Sequence, residues 1–373
     1  MNLGIIGAGM IVKDFLSFAN ELPEIRLEAI VARNLENLKS LSAEYGIKNI
    51  YTNIEECLAN TSIDTIYVAV PNNLHYSIAK KSLEAGKNVI CEKPFTLNYE
   101  EAVELFNLAD SKNLILIEAI TNQYQENYKE IKNNISKIGN IRLIECNYSQ
   151  LSSRYAAFKE GIIAPVFDKK QGGGVLGDLN IYNIHFVVGI FGEPQSLTYY
   201  PNIIRDIDTS GVLVLEYENF KAVCIAAKDT FNNSYVNIQG DEGIIKVDGP
   251  SSEVSNYRIL TEDSLIEENK NIQIHRMFSE FKKFIDVIDN KDFDFYIRQK
   301  NHSLTVMKIL DEARKVPGTK IVLKVQNEQI VRRSSQENVR QKIVDTTDLN
   351  DIVYDYADDV PESQKPKKST YAN

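Results

Sequence analysis

The sequence predicts an α/β domain with a parallel sheet, followed by an α+β domain with an open, mainly antiparallel sheet. Short apolar runs alternate with amphipathic helical stretches over the first 120 residues. A Gly-x-Gly pair, Gly7 and Gly9, stands between the first strand-like run and the first helical stretch. From about Asn140 the strand-like runs follow one another more directly, separated by turn sequences. These three observations separate the two domains.

The first domain is predicted over residues 1–120. Its predicted buried strands are Leu3–Ile6, Leu27–Ala32, Thr65–Val70, Asn88–Cys91 and Leu114–Ala119. The helical patterns between them are Met10–Leu22, Leu35–Tyr45, Ile54–Leu58, Ser77–Ala85 and Tyr99–Asp110. Asn98 and Glu101 form a capping-box pattern before the last helix. Because such alternation requires right-handed crossovers, we expect a parallel sheet covered on both faces.

The second domain is predicted over residues 121–325. Its predicted strands are Ile141–Gln150, Gly211–Tyr217, Lys221–Ala227, Tyr235–Gln239 and Gly243–Val247, with helices at Asn180–Phe191, Met277–Ile288 and Ser303–Arg314. Several strands alternate with a two-residue period and end in tight turn signals, which favours antiparallel pairing. An open sheet often serves as a subunit contact, so we expect a homodimer or a higher homo-oligomer.

Residues 326–373 are predicted to be a disordered or transiently helical tail. They contain no glycine and carry seven basic and nine acidic residues. A segment so highly charged cannot bury enough apolar surface to offset the entropy of ordering it. We therefore expect its removal to leave the fold and the cofactor affinity unchanged.

Composition narrows the partners to small molecules. The net charge of −10 disfavours a nucleic-acid or anionic-membrane partner, because no overall positive field would attract phosphates. The four cysteines form no CxxC pair and the four histidines lack metal-ligand spacing, so we expect reduced thiols and no metal site. No signal-peptide pattern and no apolar run of ~18 residues is present, so we expect a cytoplasmic protein without a membrane span.

The glycine pair near the N-terminus predicts dinucleotide binding. Gly7 permits a tight turn, and Gly9 lets the backbone approach a pyrophosphate at the positive end of the first helix. Met10 and Ile11 open that helix and belong to the predicted cofactor site. Val12 occupies the third position of the motif, where Gly or Ala is usual. The motif follows a strand and precedes a helix, which favours a Rossmann domain over a purely structural turn.

The end of the second strand indicates which dinucleotide is preferred. An NAD enzyme needs a carboxylate here to accept hydrogen bonds from the ribose 2′-hydroxyl. This chain has Ala32-Arg33-Asn34 instead. A guanidinium attracts a 2′-phosphate, so we expect NADP(H) to be preferred, with NAD(H) possible. The alternative is that Arg33 is only a solvated surface charge.

Lys93 is the first candidate catalytic residue. It lies in Glu92-Lys93-Pro94, directly after a predicted strand, at the carboxyl edge where Rossmann sheets bind ligands. An ammonium group there can stabilise an alkoxide or transfer a proton during hydride transfer. Pro94 stiffens the turn, and a cis bond is one way to do so. Without further evidence, a lysine in a turn is more often structural or solvated.

Asp178 and Tyr182 form the second candidate. Three glycines lead into a predicted helix, and these two residues are four apart on it, hence on one face. A phenol beside a lysine can transfer a proton to or from a carbinol oxygen. The alternative makes Asp178 a helix cap and Tyr182 a core aromatic.

Together these motifs resemble the glucose–fructose oxidoreductase / inositol dehydrogenase / MocA family over about residues 1–325. The landmarks, in order, are Gly7-Ala8-Gly9, Pro71-Asn72-Asn73-Leu74-His75, Ala85-Gly86-Lys87, Glu92-Lys93-Pro94 and the glycine-rich segment through Asp178 and Tyr182. The resemblance implies reversible oxidation of a sugar, polyol or related hydroxy compound, with Lys93 catalytic. It also adds Pro71, Asn72, His75, Glu92 and Lys93 itself to the cofactor site.

Two positions resemble one branch of this family, and a third departs from it. Tyr182 stands where many members have histidine, as in the NADP-using branch with glucose–fructose oxidoreductase and dimeric dihydrodiol dehydrogenase. Glu118, at the end of the last Rossmann strand, also matches that branch and implies a place beside the nicotinamide. Thr121-Asn122-Gln123-Tyr124 replaces the arginine usual in the branch, so the substrate does not carry over.

Two functions are consistent with these residues. The first is an NADP(H)-dependent oxidoreductase that acts on a sugar, a polyol or a trans-diol. The second is a regulator of the same fold that senses the dinucleotide or a sugar without turnover. The presence of both Lys93 and Tyr182 favours the enzyme.

Overall fold

The computed structural model describes residues 1–231, 233–272 and 274–323. Met1–Ile321 forms one compact unit, and a second unit begins at Val322. The predicted tail, residues 326–373, lies outside the described residues. The predicted division of the chain at residue 120 remains a prediction.

The first sheet has six parallel strands in the order β3-β2-β1-β4-β5-β6. They are β1 (Asn2–Ile6), β2 (Arg26–Val31), β3 (Asn49–Tyr51), β4 (Thr65–Val68), β5 (Asn88–Glu92) and β6 (Leu116–Ala119). The helices between them are α1 (Met10–Ala19), α2 (Leu35–Tyr45), α3 (Ile54–Leu58), α4 (His75–Glu84) and α5 (Tyr99–Ser111). The predicted Rossmann domain is confirmed.

Local hydrogen bonds explain why several of these helices begin where they do. The side chains of Asn34, Asn53 and Asn98 accept hydrogen bonds from backbone N–H groups in the first turns of α2, α3 and α5. The carboxylate of Glu101 accepts from the N–H of Leu97 at 3.2 Å, one residue before the N-cap N–H that a capping box uses. These caps satisfy backbone donors that would otherwise have no partner within the helix.

The second sheet is mixed and mainly antiparallel. Its strands are β7 (Ile141–Ser149), β8 (Ser196–Ile204), β9 (Ile207–Glu216), β10 (Lys221–Ala227), β11 (Tyr235–Gly240), β12 (Gly243–Asp248), β13 (Tyr257–Thr261) and β14 (Leu265–Glu268). These eight strands are ordered β14-β13-β12-β11-β7-β10-β9-β8. Among these eight described strands, β7 and β10 are the only neighbours that pair in parallel. The open, mainly antiparallel sheet is confirmed.

Further helices follow the first sheet along the chain. They are α6 (Glu126–Asn134), α7 (Tyr155–Lys159), α8 (Ile181–Phe191), α9 (Phe278–Asp289) and α10 (Phe293–Lys315), and a two-residue strand β15 (Ile321–Val322) follows. The segment Lys169–Phe191 meets the length and composition of a membrane span, which corrects the expectation that no such run exists. However, 78% of its most apolar window is buried inside the protein, as in the core helix of a folded domain.

The last two long helices pack on the first sheet, although they come late in the chain. Phe281 of α9 stacks on Phe15 of α1, with 4.2 Å between ring centroids, and meets Tyr67 of β4 edge-on at 5.2 Å. Ser303 of α10 donates a 2.6 Å hydrogen bond to the buried Glu118 of β6. The core of the Rossmann layer therefore includes side chains from both ends of the unit.

Candidate active site

The glycine loop has the geometry of a pyrophosphate cradle. Gly7 has a φ of +128°, and a Cβ there would lie 2.0 Å from the carbonyl oxygen of Ala69, so no other residue fits. The Cα of Gly9 faces open space, and α1 starts at the next residue, Met10. Backbone N–H groups at this helix end are available to an anion, so the loop fits a dinucleotide.

At the end of β2, Arg33 is exposed beside this loop. Its guanidinium has no ion-pair or hydrogen-bond partner among the residues the structure describes. Asn34 is occupied by capping α2, where it accepts from the N–H of Asn37 at 3.0 Å. No carboxylate stands at residues 32–34, where a ribose 2′-hydroxyl would need one.

Lys93 follows β5, and its peptide bond to Pro94 is cis. Its Nζ donates to the Oδ1 atom and to the carbonyl oxygen of Asp178, both at 2.9 Å. The same Nζ lies 4.9 Å from the centroid of the Tyr182 ring. The structure therefore brings together the three side chains that the sequence predicted to be catalytic.

Asp178 is held by two lysines, one on each carboxylate oxygen. Its Oδ2 accepts from the Nζ of Lys228 at 2.6 Å, while Oδ1 accepts from Lys93. Lys228 follows β10, is buried, and also donates to the carbonyl oxygen of Val166 at 3.1 Å. Asp178 lies in a π-helical turn, Leu176–Asn180, just before α8, and its side chain binds lysines rather than capping the helix.

These contacts shift the pKa of each group. Burial lowers the pKa of Lys93, but the charge of Asp178 and the phenol of Tyr182 raise it to a net value above the ordinary one. Burial raises the pKa of Asp178, but Lys93 and Lys228 lower it to a net value below the ordinary one. Burial raises the pKa of Tyr182 to about 12, against the opposing effect of Lys93. At neutral pH Lys93 is therefore an ammonium group, Asp178 a carboxylate and Tyr182 a protonated phenol.

A cavity of about 280 Å³ opens beside these groups. Its lining residues come from the carboxyl edge of the first sheet with its neighbouring helices, from α8, and from the segment before α9: Ile11, Val70, Asn72, His75, Glu92, Lys93, Thr121, Tyr182, Arg276 and Met277. Six of the predicted site residues are in this set. Asp178 does not line the cavity but contacts Lys93, which does. Met10 and Pro71 are exposed and lie next to lining residues in the sequence, but they do not line the cavity themselves.

His75 and Glu92 hold the turn that carries Lys93. The ring nitrogens of His75 lie 2.9 Å from the carbonyl oxygens of Pro94 and of Val70, so the ring links the turn to the end of β4. Burial lowers the pKa of His75. The Oε1 atom of Glu92 accepts from the hydroxyl of Tyr67 at 2.5 Å, and burial raises the pKa of Glu92.

Glu118 has a different environment from the one implied by the resemblance. It does not line the cavity. Its carboxylate lies in the core, where one oxygen accepts from Ser303 and the other is 3.5 Å from the Nε2 atom of His185. The Nδ1 atom of His185 is in turn 2.8 Å from the Nε2 atom of His302. Glu118 and the two histidines form a buried polar cluster that joins β6, α8 and α10.

Arg276 and Met277 reach the cavity from the segment before α9 and were missed by the sequence reasoning. One Arg276 nitrogen lies 3.6 Å from the Oδ2 atom of Asp14 on α1. Lys228 was missed as well. Its position directly after an apolar strand was the one available signal, because a charge there lies at a sheet edge. Within the described part of the chain, no cluster of three His, Cys, Asp or Glu side chains could hold a metal ion.

Residues 1–120 match the family described as "Oxidoreductase family, NAD-binding Rossmann fold", and residues 129–246 match the "GFO/IDH/MocA C-terminal domain". The chain belongs to the GFO/IDH/MocA family. This membership confirms the resemblance found in the sequence and the prediction of an oxidoreductase with an NAD(P)-binding Rossmann fold.

Named relatives within the GFO/IDH/MocA family include dehydrogenases. The scyllo-inositol 2-dehydrogenase (NADP(+)) IolU of Bacillus subtilis is 31% identical, over 85% of this chain and 97% of that protein. The trans-1,2-dihydrobenzene-1,2-diol dehydrogenase of Xenopus tropicalis is 30% identical, over 65% of this chain and 74% of that protein.

Solved structures of other proteins share the fold. A 3-ketoreductase from Actinomadura kijaniata, in complex with NADP and TDP-benzene, has a TM-score of 0.74 at 19% identity, covering 84% of this chain and 97% of that one. A levoglucosan dehydrogenase in complex with NADH has a TM-score of 0.70 at 20% identity, covering 87% and 99%.

Proposed function

We propose that this protein is an NADP(H)-dependent oxidoreductase that transfers a hydride to or from a carbinol carbon of a sugar, a polyol or a trans-diol. The observation that carries the proposal is the position of the Lys93 ammonium in the cavity wall, 2.9 Å from the Asp178 carboxylate and 4.9 Å from the centre of the Tyr182 ring. Relatives named as inositol and diol dehydrogenases support this range of substrates.

The proposed chemistry divides between the cofactor and the side chains. The bound dinucleotide supplies or accepts the hydride. Lys93 stays protonated at neutral pH, since its pKa is raised, and stabilises negative charge on the substrate oxygen. Tyr182 is protonated and lines the cavity, so its phenol donates a proton to that oxygen during reduction and receives it back during oxidation. Asp178 orients Lys93, and Lys228 holds Asp178.

NADP(H) is the proposed cofactor. Arg33 is exposed at the end of β2 with no partner in the described part of the chain, and residues 32–34 include no carboxylate to oppose a 2′-phosphate. The names of the inositol dehydrogenase and of the ketoreductase complex both contain NADP, which supports the same preference.

The outward face of the second sheet is the proposed subunit contact. Along β9 every second residue is buried and the others are only partly covered. Val212 pairs with Ile225, and Val214 pairs with Val223, so four apolar side chains form one patch on β9 and β10. An apolar patch on an open sheet is typical of a homodimer interface. Sedimentation of the full chain should show a dimer or a larger assembly, which Val214→Asp should dissociate.

A spectrophotometric screen tests the function. Purified full-length protein is mixed with NADP or NADPH and with sugars, inositols, diols and their carbonyl counterparts, and the nicotinamide absorbance is followed. We expect turnover of at least one hydroxylated ring compound. Tight NADP(H) binding with no turnover of any compound would contradict the proposal and favour a dinucleotide-sensing regulator.

A further inference from the structure

A second cavity, of about 180 Å³, adjoins the first and shares Arg276 as a wall. It lies among the start of α6, the loop after β12 and the segment between β14 and α9. Apart from Ile272, its lining side chains are polar: Gln125, Glu253, Ser255, Asn269, Asn271, His275, Arg276 and Ser279. An apolar pocket would suit a hydrophobic ligand, whereas this lining suits one with many hydrogen-bonding groups.

The strand directions place this cavity at the same edge of the second sheet as Lys228. Strands β7, β10 and β12 run parallel to one another, because β12 is antiparallel to β11 and β11 is antiparallel to β7. Their carboxyl ends therefore share one edge. Lys228 follows β10 there, and Ser251 follows β12.

The loop after β12 is also tied to the proposed catalytic tyrosine. The side chain of Asn122 donates to the carbonyl oxygen of Tyr182 at 2.9 Å and to that of Ser251 at 3.1 Å. The hydroxyl of Ser251 donates to the Oδ1 atom of Asn183 at 2.6 Å. The second cavity is thus held in a fixed position relative to Tyr182.

Two buried or half-buried groups in the lining lack hydrogen-bond partners. Gln125 is 4% exposed, and its Oε1 atom has no partner, although its Nε2 donates to the carbonyl oxygen of Ser252. Arg276 has its 3.6 Å ion pair with Asp14, but within residues 1–231, 233–272 and 274–323 its guanidinium makes no hydrogen bond. Buried polar groups in folded proteins are almost always paired, so an unpaired acceptor beside an unpaired donor indicates a ligand.

The mixture of donors and acceptors identifies the chemical class of that ligand. Arg276 only donates, the Oε1 atom of Gln125 only accepts, and the hydroxyl of Ser279 can do both. The positive charge of Arg276 is paired with Asp14, outside this lining, and the carboxylate of Glu253 lies in the same cavity wall. A neutral ligand with several hydroxyl groups matches this lining, since each hydroxyl donates one hydrogen bond and accepts others.

We propose that the second cavity is a sugar subsite that holds one hydroxylated ring of a glycoside, while the ring that is oxidised or reduced lies against Lys93 and Tyr182. This inference rests on the proposed function and narrows its substrate class. The substrate is then a disaccharide or another glycoside with two hydroxylated rings. Gln125 and Arg276 are the specificity-determining contacts to the distal ring.

Paired substrates test the subsite. Oxidation of glucose is compared with that of cellobiose and maltose, and oxidation of galactose with that of lactose, using full-length protein and NADP. We expect at least one disaccharide to have a kcat/KM at least ~10-fold above that of its monosaccharide. Gln125→Met should lower kcat/KM for that disaccharide by about 3- to 10-fold, the effect of losing one hydrogen bond, and leave the monosaccharide value unchanged.

Two further variants separate subsite binding from folding. Gln195→Met is a matched control, because Gln195 lies before β8, away from both cavities, and should change neither value. If Gln125→Met fails to fold, Ser279→Ala tests the subsite instead, because it removes only a hydroxyl from the first turn of α9. It should lower kcat/KM for the disaccharide and not for the monosaccharide. The subsite alone would be overturned if the kcat/KM for monosaccharides equalled that for every disaccharide. The same conclusion would follow if the variants lowered kcat/KM equally for monosaccharide and disaccharide. No turnover of any sugar, polyol or trans-diol would overturn the proposed function, and the subsite with it.

Discussion

Replacing Lys93 by methionine removes the charge and keeps the approximate length of the side chain. In many sites, deleting one partner of a buried ion pair leaves the other charge uncompensated, at a cost of roughly 3–5 kcal/mol. Here Asp178 keeps the ammonium of Lys228, 2.6 Å from its Oδ2 atom. We therefore expect Lys93→Met to fold, with a free energy of unfolding lower by at most about 3 kcal/mol, the value of hydrogen bonds to a charged group.

The effect on turnover should be much larger than the effect on binding. If Lys93 stabilises charge that develops only during hydride transfer, its loss should lower kcat by ~100-fold or more, which corresponds to about 2.7 kcal/mol in the barrier. The dissociation constant for the dinucleotide should change little, because the glycine loop and Arg33 lie elsewhere. Tyr182→Phe should cost somewhat less if the phenol only assists proton transfer, and more if it is the general acid. The double variant should be little worse than the poorer single one, because the two groups act as a unit.

Steady-state kinetics on the substrate found by the screen measures kcat. A fluorescence titration of NADPH measures the dissociation constant, and a thermal melt measures the change in stability. Lys81→Met is the matched control, since Lys81 of α4 forms an exposed ion pair with Glu55 of α3. This variant should leave kcat unchanged. Turnover by Lys93→Met within about threefold of the parent would refute the role assigned to Lys93.

Three further predictions use the same assays. Ala32→Asp combined with Arg33→Ile should move the preference from NADP toward NAD, and tighter binding of NAD by the parent would contradict the cofactor assignment. Lys228→Met should lower kcat by roughly 10-fold and leave the dinucleotide affinity unchanged, and Lys228→Arg should recover part of the loss. If Lys228→Met is as active as the parent, Lys228 does not position Asp178. Because the pKa of Tyr182 is raised to about 12, the rate of carbonyl reduction should be nearly independent of pH across the neutral range, whereas the rate of alcohol oxidation should rise with pH. An oxidation rate that falls as the pH rises would exclude Tyr182 as the proton acceptor.

The sequence predicted the first sheet well because its strands are continuous apolar runs. The missed strand, β3, is only three residues long, Asn49–Tyr51, and too short to show a period. Helix α10 begins at Phe293, ten residues before the predicted Ser303, because Asp292 caps it by accepting from the N–H of Phe295. Strands β13 and β14 were missed as well, since exposed positions in them carry the apolar residues Leu260 and Leu265, which obscures the alternation of apolar and polar residues.

The candidate site shows a similar division. Lys93, Asp178 and Tyr182 could be predicted because each lies in a local motif whose spacing is visible in the chain. Lys228 and Arg276 could not, because each reaches the site from a segment with no motif, and only the folded arrangement of strands and helices brings it near Asp178 or Tyr182. Glu118 matched a family position, yet hydrogen bonding from Ser303 holds its carboxylate in the core.

The packing of α9 on the Rossmann layer has a consequence for the order in which the chain folds during its synthesis. Phe15 and Tyr67 emerge early from the ribosome, but Phe281, which covers both rings, is made more than two hundred residues later. Until then the nascent N-terminal region exposes an apolar face that a finished protein would bury, and such faces promote aggregation. Residues 1–120 expressed alone should therefore be poorly soluble, and co-expression of a fragment that contains α9 and α10 should rescue them.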